Sequence, residues 1–296
     1  MTSNSRSNNQ KLVVNYNVVS KKILWFQSLR AMFLLTKIIF GVIAVWYVVN
    51  YIDDQITKSR LSPQYQVRYV HLNPNGAFAE EDVVRIANVH LDQSIFAIDL
   101  EHAQKLLQRR PELKMAEIRR HPPSTIEFQI EARQPYAWIE CPARDFLPKN
   151  KEKGHLIDAE GYLFPCTTMQ FQSALSLPVI VVPPEDARSL RVGKKIEIKA
   201  MRRAMNLLAL AHASSPAGPT WISRIAPYRA WGIKVTTHEG TEATFGINDH
   251  ERQMNDLFLT MQHARSIGKA IVSINLIPQK NFPVELRSRS SDATDP

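Results

Sequence analysis

The sequence predicts an α+β protein in three parts: a single N-terminal transmembrane helix, a small β-α-α-β-β module, and a β-rich domain with two helices. Three observations predict it. Ala31 to Val49 is apolar throughout except for Thr36 and Lys37. Short runs of period-two alternation, such as Ile126, Phe128 and Ile130 set between Glu127, Gln129 and Glu131, recur beyond residue 64. Apolar stripes at helical spacing interrupt them in only a few places, the two longest near 196–213 and 249–266.

At 1.5 Å of rise per residue, a helix over residues 31–49 is ~28 Å long, close to the hydrocarbon thickness of a bilayer. Lys37 lies near enough to one end for its ammonium to snorkel to the interface, and Trp46, Tyr47 and Tyr51 supply an aromatic belt at the other. From Met1 to Arg30 the chain carries Arg6, Lys11, Lys21, Lys22 and Arg30 and no acidic residue, whereas Asp53 and Asp54 follow the apolar run. The positive-inside rule therefore expects a cytoplasmic N-terminus and export of everything after Asn50. The stretch VVNYIDD offers no small-x-small cleavage site, which predicts a retained anchor rather than a cleaved signal peptide. The expected location is the cytoplasmic (inner) membrane, crossed once, with the bilayer as partner of Ala31 to Val49.

The expected divisions are a basic tail at 1–30, the membrane helix at 31–52, a polar connector at 53–64, the β-α-α-β-β module at 65–134, the β-rich domain at 135–287 and a C-terminal tail at 288–296. Six of the 37 basic residues lie in the tail and the span, and the remaining 31 face 28 acidic residues. The formal charge of +9 is thus mainly a topology signal with an attraction to anionic lipid, and nucleic acid is not an expected partner. Residues 2–10 have too few apolar side chains to fold alone and are predicted to be disordered. Cys141 and Cys166 both fall in the exported part, where a disulfide is chemically allowed in an oxidising compartment. The strand reading sets another strand between them, against a limit of ~7 Å on Cα separation, and buried, unreactive thiols are the expected state. With His155 they make no structural zinc set, which wants four close ligands.

Within the module, Tyr65 to Leu72 reads as a strand with Val67, Tyr69 and His71 on one face, and Asn73 to Gly76 as a turn. A short helix follows at about Glu80 to Asn88, its acidic first turn complementing the helix dipole. Asp99 is a candidate N-cap for a second helix carrying Leu100, Ala103, Leu106 and Leu107, ended by Pro111. Strands at Leu113 to Arg120 and Thr125 to Arg133, separated by a turn at Pro122 and Pro123, complete a small sheet with two helices on one face.

That order is the order of the POTRA module, and the wording around it resembles the FtsQ/DivIB family of cell-division proteins. The segment QSIFAIDL at 93–100 is similar to the family's run into the second helix. In PELKMAEIRRHPPSTIEFQIEARQPYAWI at 111–139, Ala116, Ile118, Arg120, Pro122, Arg133, Pro135 and Ala137 fall on matching positions. His121 stands where the family has Trp, and Ala132 where it has Glu. Farther on, LIDAEGYLF at 156–164 resembles a family hairpin, with Gly161 at a turn that needs positive φ. WGIKVTTHEGTEATFG at 231–246 resembles another, with Trp231, Gly240 and Gly246 in register.

The β-rich domain reads as strands at Tyr136 to Cys141, Gly154 to Asp158, Tyr162 to Phe164 and Leu177 to Val181. A helix at about Ile196 to Ala213, broken by Ser214 to Pro219, leads to strands at Ile222 to Ala226, Trp231 to Thr236 and Glu242 to Phe245. A final helix at about Asp249 to Ser266 carries Met254, Leu257, Phe258 and Met261 on one stripe. AIVSINLI and, after Pro278, FPVELR end the chain's regular structure.

Catalytic motifs are missing: there is no Gly-x-Ser-x-Gly elbow, no His-Glu-x-x-His and no phosphate-cradling glycine loop. His238 beside Glu239 reads as a solvated pair in a hairpin turn, and His250 with Glu251 as helix-start chemistry. No enzyme activity, cofactor, metal or small-molecule substrate is expected. A sheet edge, by contrast, can take an incoming segment as an added strand. The resemblance implies that the last strand and the helix before it receive subunits resembling FtsB and FtsL, expected at the division septum. Carried onto this chain, the edge is Ile271 to Ile277, and the partner-binding candidates are Phe258, Ser273, Asn275, Ile277, Phe282 and Val284. The family's ending Val-Asp-Leu-Arg-Tyr is here Ile274, Asn275, Leu276, Ile277 and Pro278, which removes charged and aromatic contacts common at binding hot spots. Ile274 and Leu276 are equally readable as core residues, leaving Ser273, Asn275 and Ile277 to meet a partner. Two other readings use the same features: a POTRA-containing component of a secretion or outer-membrane assembly system, and a membrane-anchored hydrolase.

Overall fold

The computed structural model describes residues 21–60, 62–214, 221–229 and 231–288. The expected disorder at residues 2–10, the break of a helix at 215–219 and the tail beyond residue 288 lie outside the described residues. The chain divides into two compact units between Ser62 and Pro63.

The first unit is one helix, α1 (Lys21–Arg60), of 40 residues. Met32–Lys58 is long and apolar enough to cross a membrane, and its most apolar stretch is not buried. The Thr36 hydroxyl donates to the Met32 carbonyl at 2.7 Å, so this polar group inside the apolar run is satisfied by its own helix. The polar connector expected from residue 53 is helical as far as Arg60. Polarity alone does not stop a helix. Residues 52–60 contain neither Gly nor Pro, and Lys58 pairs one turn back with Asp54 at 2.6 Å, while the first proline is Pro63.

In the second unit, β1 (Tyr69–Leu72), α2 (Glu80–Ile86), α3 (Leu100–Gln108), β2 (Leu113–His121) and β3 (Thr125–Ala132) form a three-stranded sheet of order β1-β3-β2 covered by two helices. β1 runs parallel to β3, and β2 antiparallel to it. Asp99 caps α3 as its sequence position predicts, accepting from the His102 N–H at 3.0 Å. The core is Val67, Val83, Ile95, Leu107, Ala116, Ile118, Ile126, Phe128 and Ile130. One face assignment is corrected. Val67 is buried, but Tyr69 is 65% exposed and His71 is exposed, while Val70 and Leu72 pack inward. The Arg68 and Tyr69 N–H groups both reach the Ser124 carbonyl, at 2.9 and 3.2 Å. Two residues thus face one, and the alternation flips.

Nine further strands build the larger sheet: β4 (Ala137–Glu140), β5 (His155–Ile157), β6 (Leu163–Pro165), β7 (Val179–Val181), β8 (Ile222–Tyr228), β9 (Gly232–Thr237), β10 (Glu242–Gly246), β11 (Lys269–Asn275) and β12 (Val284–Ser288). Their order is β12-β11-β10-β9-β8-β7-β4-β5-β6. Two long helices, α5 (Lys199–Ser214) after β7 and α6 (His250–Ser266) after β10, carry the chain to parallel neighbours and bury the main core beneath them. α4 (Phe171–Ala174), a single turn absent from the sequence expectations, lies with the opposite cluster of Trp138, Leu156, Phe164 and Val179. β4 is therefore buried on both faces, which is why Ala137, Trp138 and Ile139 run without a polar break.

Candidate partner-binding edge

α6 turns Met254, Leu257 and Ala264 into the core, and Phe258 follows on the same stripe, half-buried. Gly268, at φ +66°, ends the helix and turns the chain into β11. Ile271 and Ile274 are both buried although three residues apart, because a bulge between Ile271 and Ser273 resets the alternation. Ser273 and Asn275 are half-buried on the other face, and Ile277 lies just past the strand beside Gly246. Ile274 and Leu276 are core residues, 2% and 0% exposed.

The resemblance implies a sheet edge at Ile271 to Ile277, but β11 is not at the edge. β11 is flanked on both sides, by β10 in parallel and by β12 in antiparallel register, with Ile271 opposite Leu286 and Ile274 opposite Val284. The reversal from Leu276 to Pro283 makes the difference. Pro278 cannot extend the ladder, Asn281 adopts φ +55°, and the Asn275 N–H donates to the Pro283 carbonyl at 3.1 Å. Phe282 and Val284 are drawn back onto the main core, which anchors the returning strand. Arg252, at the start of α6, reaches Asp249, Asp256 and the Leu276 carbonyl and so ties the helix to the end of β11.

Two strands end the large sheet, and they differ. The outer side of β6 is occupied by its own chain: the Leu163 N–H donates to the Lys194 carbonyl at 3.1 Å, and the Gly193 N–H to the Leu163 carbonyl at 2.7 Å. Among the described residues no strand pairs with the outer side of β12. Glu285, Leu286 and Arg287 are exposed there, Leu286 by 40%. Alternate N–H and C=O groups of β12 point away from β11 and can bond an added strand. On the polar face, the Ser273 hydroxyl donates to Glu285 at 3.1 Å, and Lys234 holds Glu242 at 2.8 Å beside it.

Of the six sequence candidates, Ser273 and Val284 lie on paired strands but on opposite faces, Ser273 opposite Glu285 and Val284 opposite Ile274, with Asn275 at the end of β11. Phe282 and Val284 serve largely as anchors of β12, and Phe258 lies on the helix layer. Glu285, Leu286 and Arg287 were not among the candidates. The alternation in FPVELR marks a strand, but nothing local says on which side of β11 it pairs.

Other polar groups are engaged structurally. Glu239 pairs with Arg265 at 2.7 Å, His250 hydrogen-bonds the Gly246 carbonyl at 2.9 Å, and Asp158 is held by Arg133 rather than by Cys166. Cys141 and Cys166 are free thiols, and β5 lies between their strands. Among the described residues no three His, Cys, Asp or Glu side chains are grouped to hold a metal ion.

A family model described as a POTRA domain of FtsQ type matches residues 65–133. The cell division protein FtsQ of Syntrophotalea carbinolica is 21% identical over 197 residues, covering 66% of this chain and 65% of that protein. The cell division protein FtsQ of Geotalea daltonii is 23% identical over 195 residues, covering 65% of this chain and 66% of that protein. The matched stretch thus spans just under two thirds of each relative's length.

Proposed function

Since the chain belongs to the FtsQ/DivIB family, we propose that it is a non-enzymatic scaffold of bacterial cell division that captures other division proteins on the outer side of β12. In this reading α1 crosses the inner membrane once, with the basic tail in the cytoplasm and both folded modules exported. The partners are subunits resembling FtsB and FtsL, brought to the division septum as an added strand beside β12, with Ser273, Asn275, Ile277 and Phe258 on the flanking surfaces. The observation that carries the proposal is that, among the described residues, no strand pairs with the outer side of β12, while β6, at the far end of the same sheet, is covered by its own chain.

Backbone N–H groups alternate sides along a strand, so of the variants Glu285→Pro and Leu286→Pro one removes an outward donor and the other a donor to β11. Each is co-expressed with the FtsB-like and FtsL-like proteins of the same organism, and folding is followed through the near-ultraviolet signal of buried Trp138. The expected result is loss of co-purification in a variant that remains folded. Native-level co-purification by every folded variant would refute capture on β12.

A further inference from the structure

We infer that Arg133 is a latch that makes the POTRA module and the large sheet one rigid body. The chain leaves little room for a hinge. The Arg133 N–H donates to the Glu112 carbonyl at 2.9 Å inside the first module, and the Tyr136 N–H donates to the Ile157 carbonyl at 2.8 Å inside the second. Only Gln134 and Pro135 lie between, and Pro135 has a fixed φ.

The Arg133 side chain then closes the gap from both sides. Its Nε donates to the Pro111 carbonyl at 3.1 Å, and one terminal nitrogen donates to the Asp158 carboxylate at 2.7 Å. The guanidinium lies 4.1 Å from the centroid of the Tyr162 ring. The two charged side chains are 12% and 9% exposed, so the pair is largely out of water, where breaking it leaves an unpartnered charge. The other Asp158 oxygen accepts from the Glu160 and Tyr162 N–H groups at 3.1 and 2.8 Å, so the hairpin of β5 and β6 holds it in place. Buried Gln170 donates to the Arg133 carbonyl at 2.9 Å from the approach to α4. One residue is therefore bonded to the start of β2 in the first module and to two separate segments of the second. The consequence is mechanical: a strand captured on β12 is held at a fixed orientation to the POTRA sheet, so force or position is passed between the two modules without slack.

The test uses the full chain in nanodiscs under a urea titration. Residues 65–134 contain no tryptophan, and outside α1 the tryptophans are Trp138, Trp221 and Trp231, so the change in tryptophan fluorescence, buried Trp138 included, follows the large sheet, while amide exchange at Ile118 and Phe128 follows the POTRA core. In the native protein the two midpoints coincide. Asp158→Asn keeps the size of the side chain and the turn-accepting oxygen but removes the charge, and Arg133→Leu keeps much of the bulk; in each, POTRA protection is lost at lower urea than the Trp138 signal. Lys114→Ala, which removes the exposed bridge to Glu160, leaves the midpoints together. Spin labels at exposed Gln172 and His102 add a second readout, with a narrow distance distribution that broadens in Asp158→Asn. Separate midpoints in the native protein overturn the inference. So do coincident midpoints with an unchanged distance distribution in Asp158→Asn, a result that would leave capture on β12 untouched.

Discussion

Replacing Asn73 by Ala should cost far more than its place in a turn suggests. The Asn73 carboxamide copies a strand. Its oxygen accepts from the Ile130 N–H at 2.7 Å and its nitrogen donates to the Ile130 carbonyl at 2.9 Å, so it continues the pairing of β1 along β3 for one more residue. Ile130 is 3% exposed, so water has little access to the two groups that would be orphaned. Two lost hydrogen bonds with buried partners left behind amount to about 2–4 kcal/mol. The assay is urea unfolding of the full chain followed by amide exchange along β3. Asn73→Asp sharpens it, because a carboxylate oxygen then faces the Ile130 carbonyl. That variant should be at least as damaging as Ala at neutral pH and recover on acidification, once protonation restores a donor. A loss under about 0.5 kcal/mol for Asn73→Ala would refute the reasoning, since water or backbone movement would have to satisfy Ile130 at almost no cost.

Two further outcomes are expected. Burial pushes the Cys166 thiol up to about 11, so its alkylation rate should still be climbing steeply above about pH 10, where a thiol of ordinary pKa 9.0 has nearly levelled off. Because the folded state holds the proton more tightly, the linked stability is complete below about pH 9 and fades as pH rises through 11. Trp138→Ala should cost about 3–5 kcal/mol in urea unfolding, as expected for a large buried side chain. Trp138→Phe should cost less, because the Ala174 carbonyl that accepts from the Trp138 indole at 2.6 Å keeps its bond from the Leu177 N–H.

What the chain reveals about itself depends on how local the cause is. The cap at Asp99, the acidic first turn of α2 and the positive φ of Gly161 are decided within a few residues and are readable from them. The misassigned faces and the misplaced edge are cases in which a distant partner decides. The flip between Val67 and Tyr69 is set by Ser124, more than fifty residues away, which offers one carbonyl to two N–H groups. The bulge that buries both Ile271 and Ile274 is a property of the pairing with β12. The resemblance carries the edge onto Ile271 to Ile277, while FPVELR is short and follows a proline-bearing reversal. Its position outside β11 is fixed by Phe282 and Val284 finding the main core. The latch at Arg133 shows the same limit. Its place in a family-like segment is legible, but Asp158, Tyr162 and Gln170 converge on it only in three dimensions.

Depletion with time-lapse microscopy of septation tests most directly whether this chain serves division. Depleted cells are expected to continue to grow but to stop completing septa, giving filaments or unseparated chains. The native chain should restore division, whereas a folded β12 proline variant that fails to capture its partners should not. Normal septation and normal cell length after depletion would contradict a role in division.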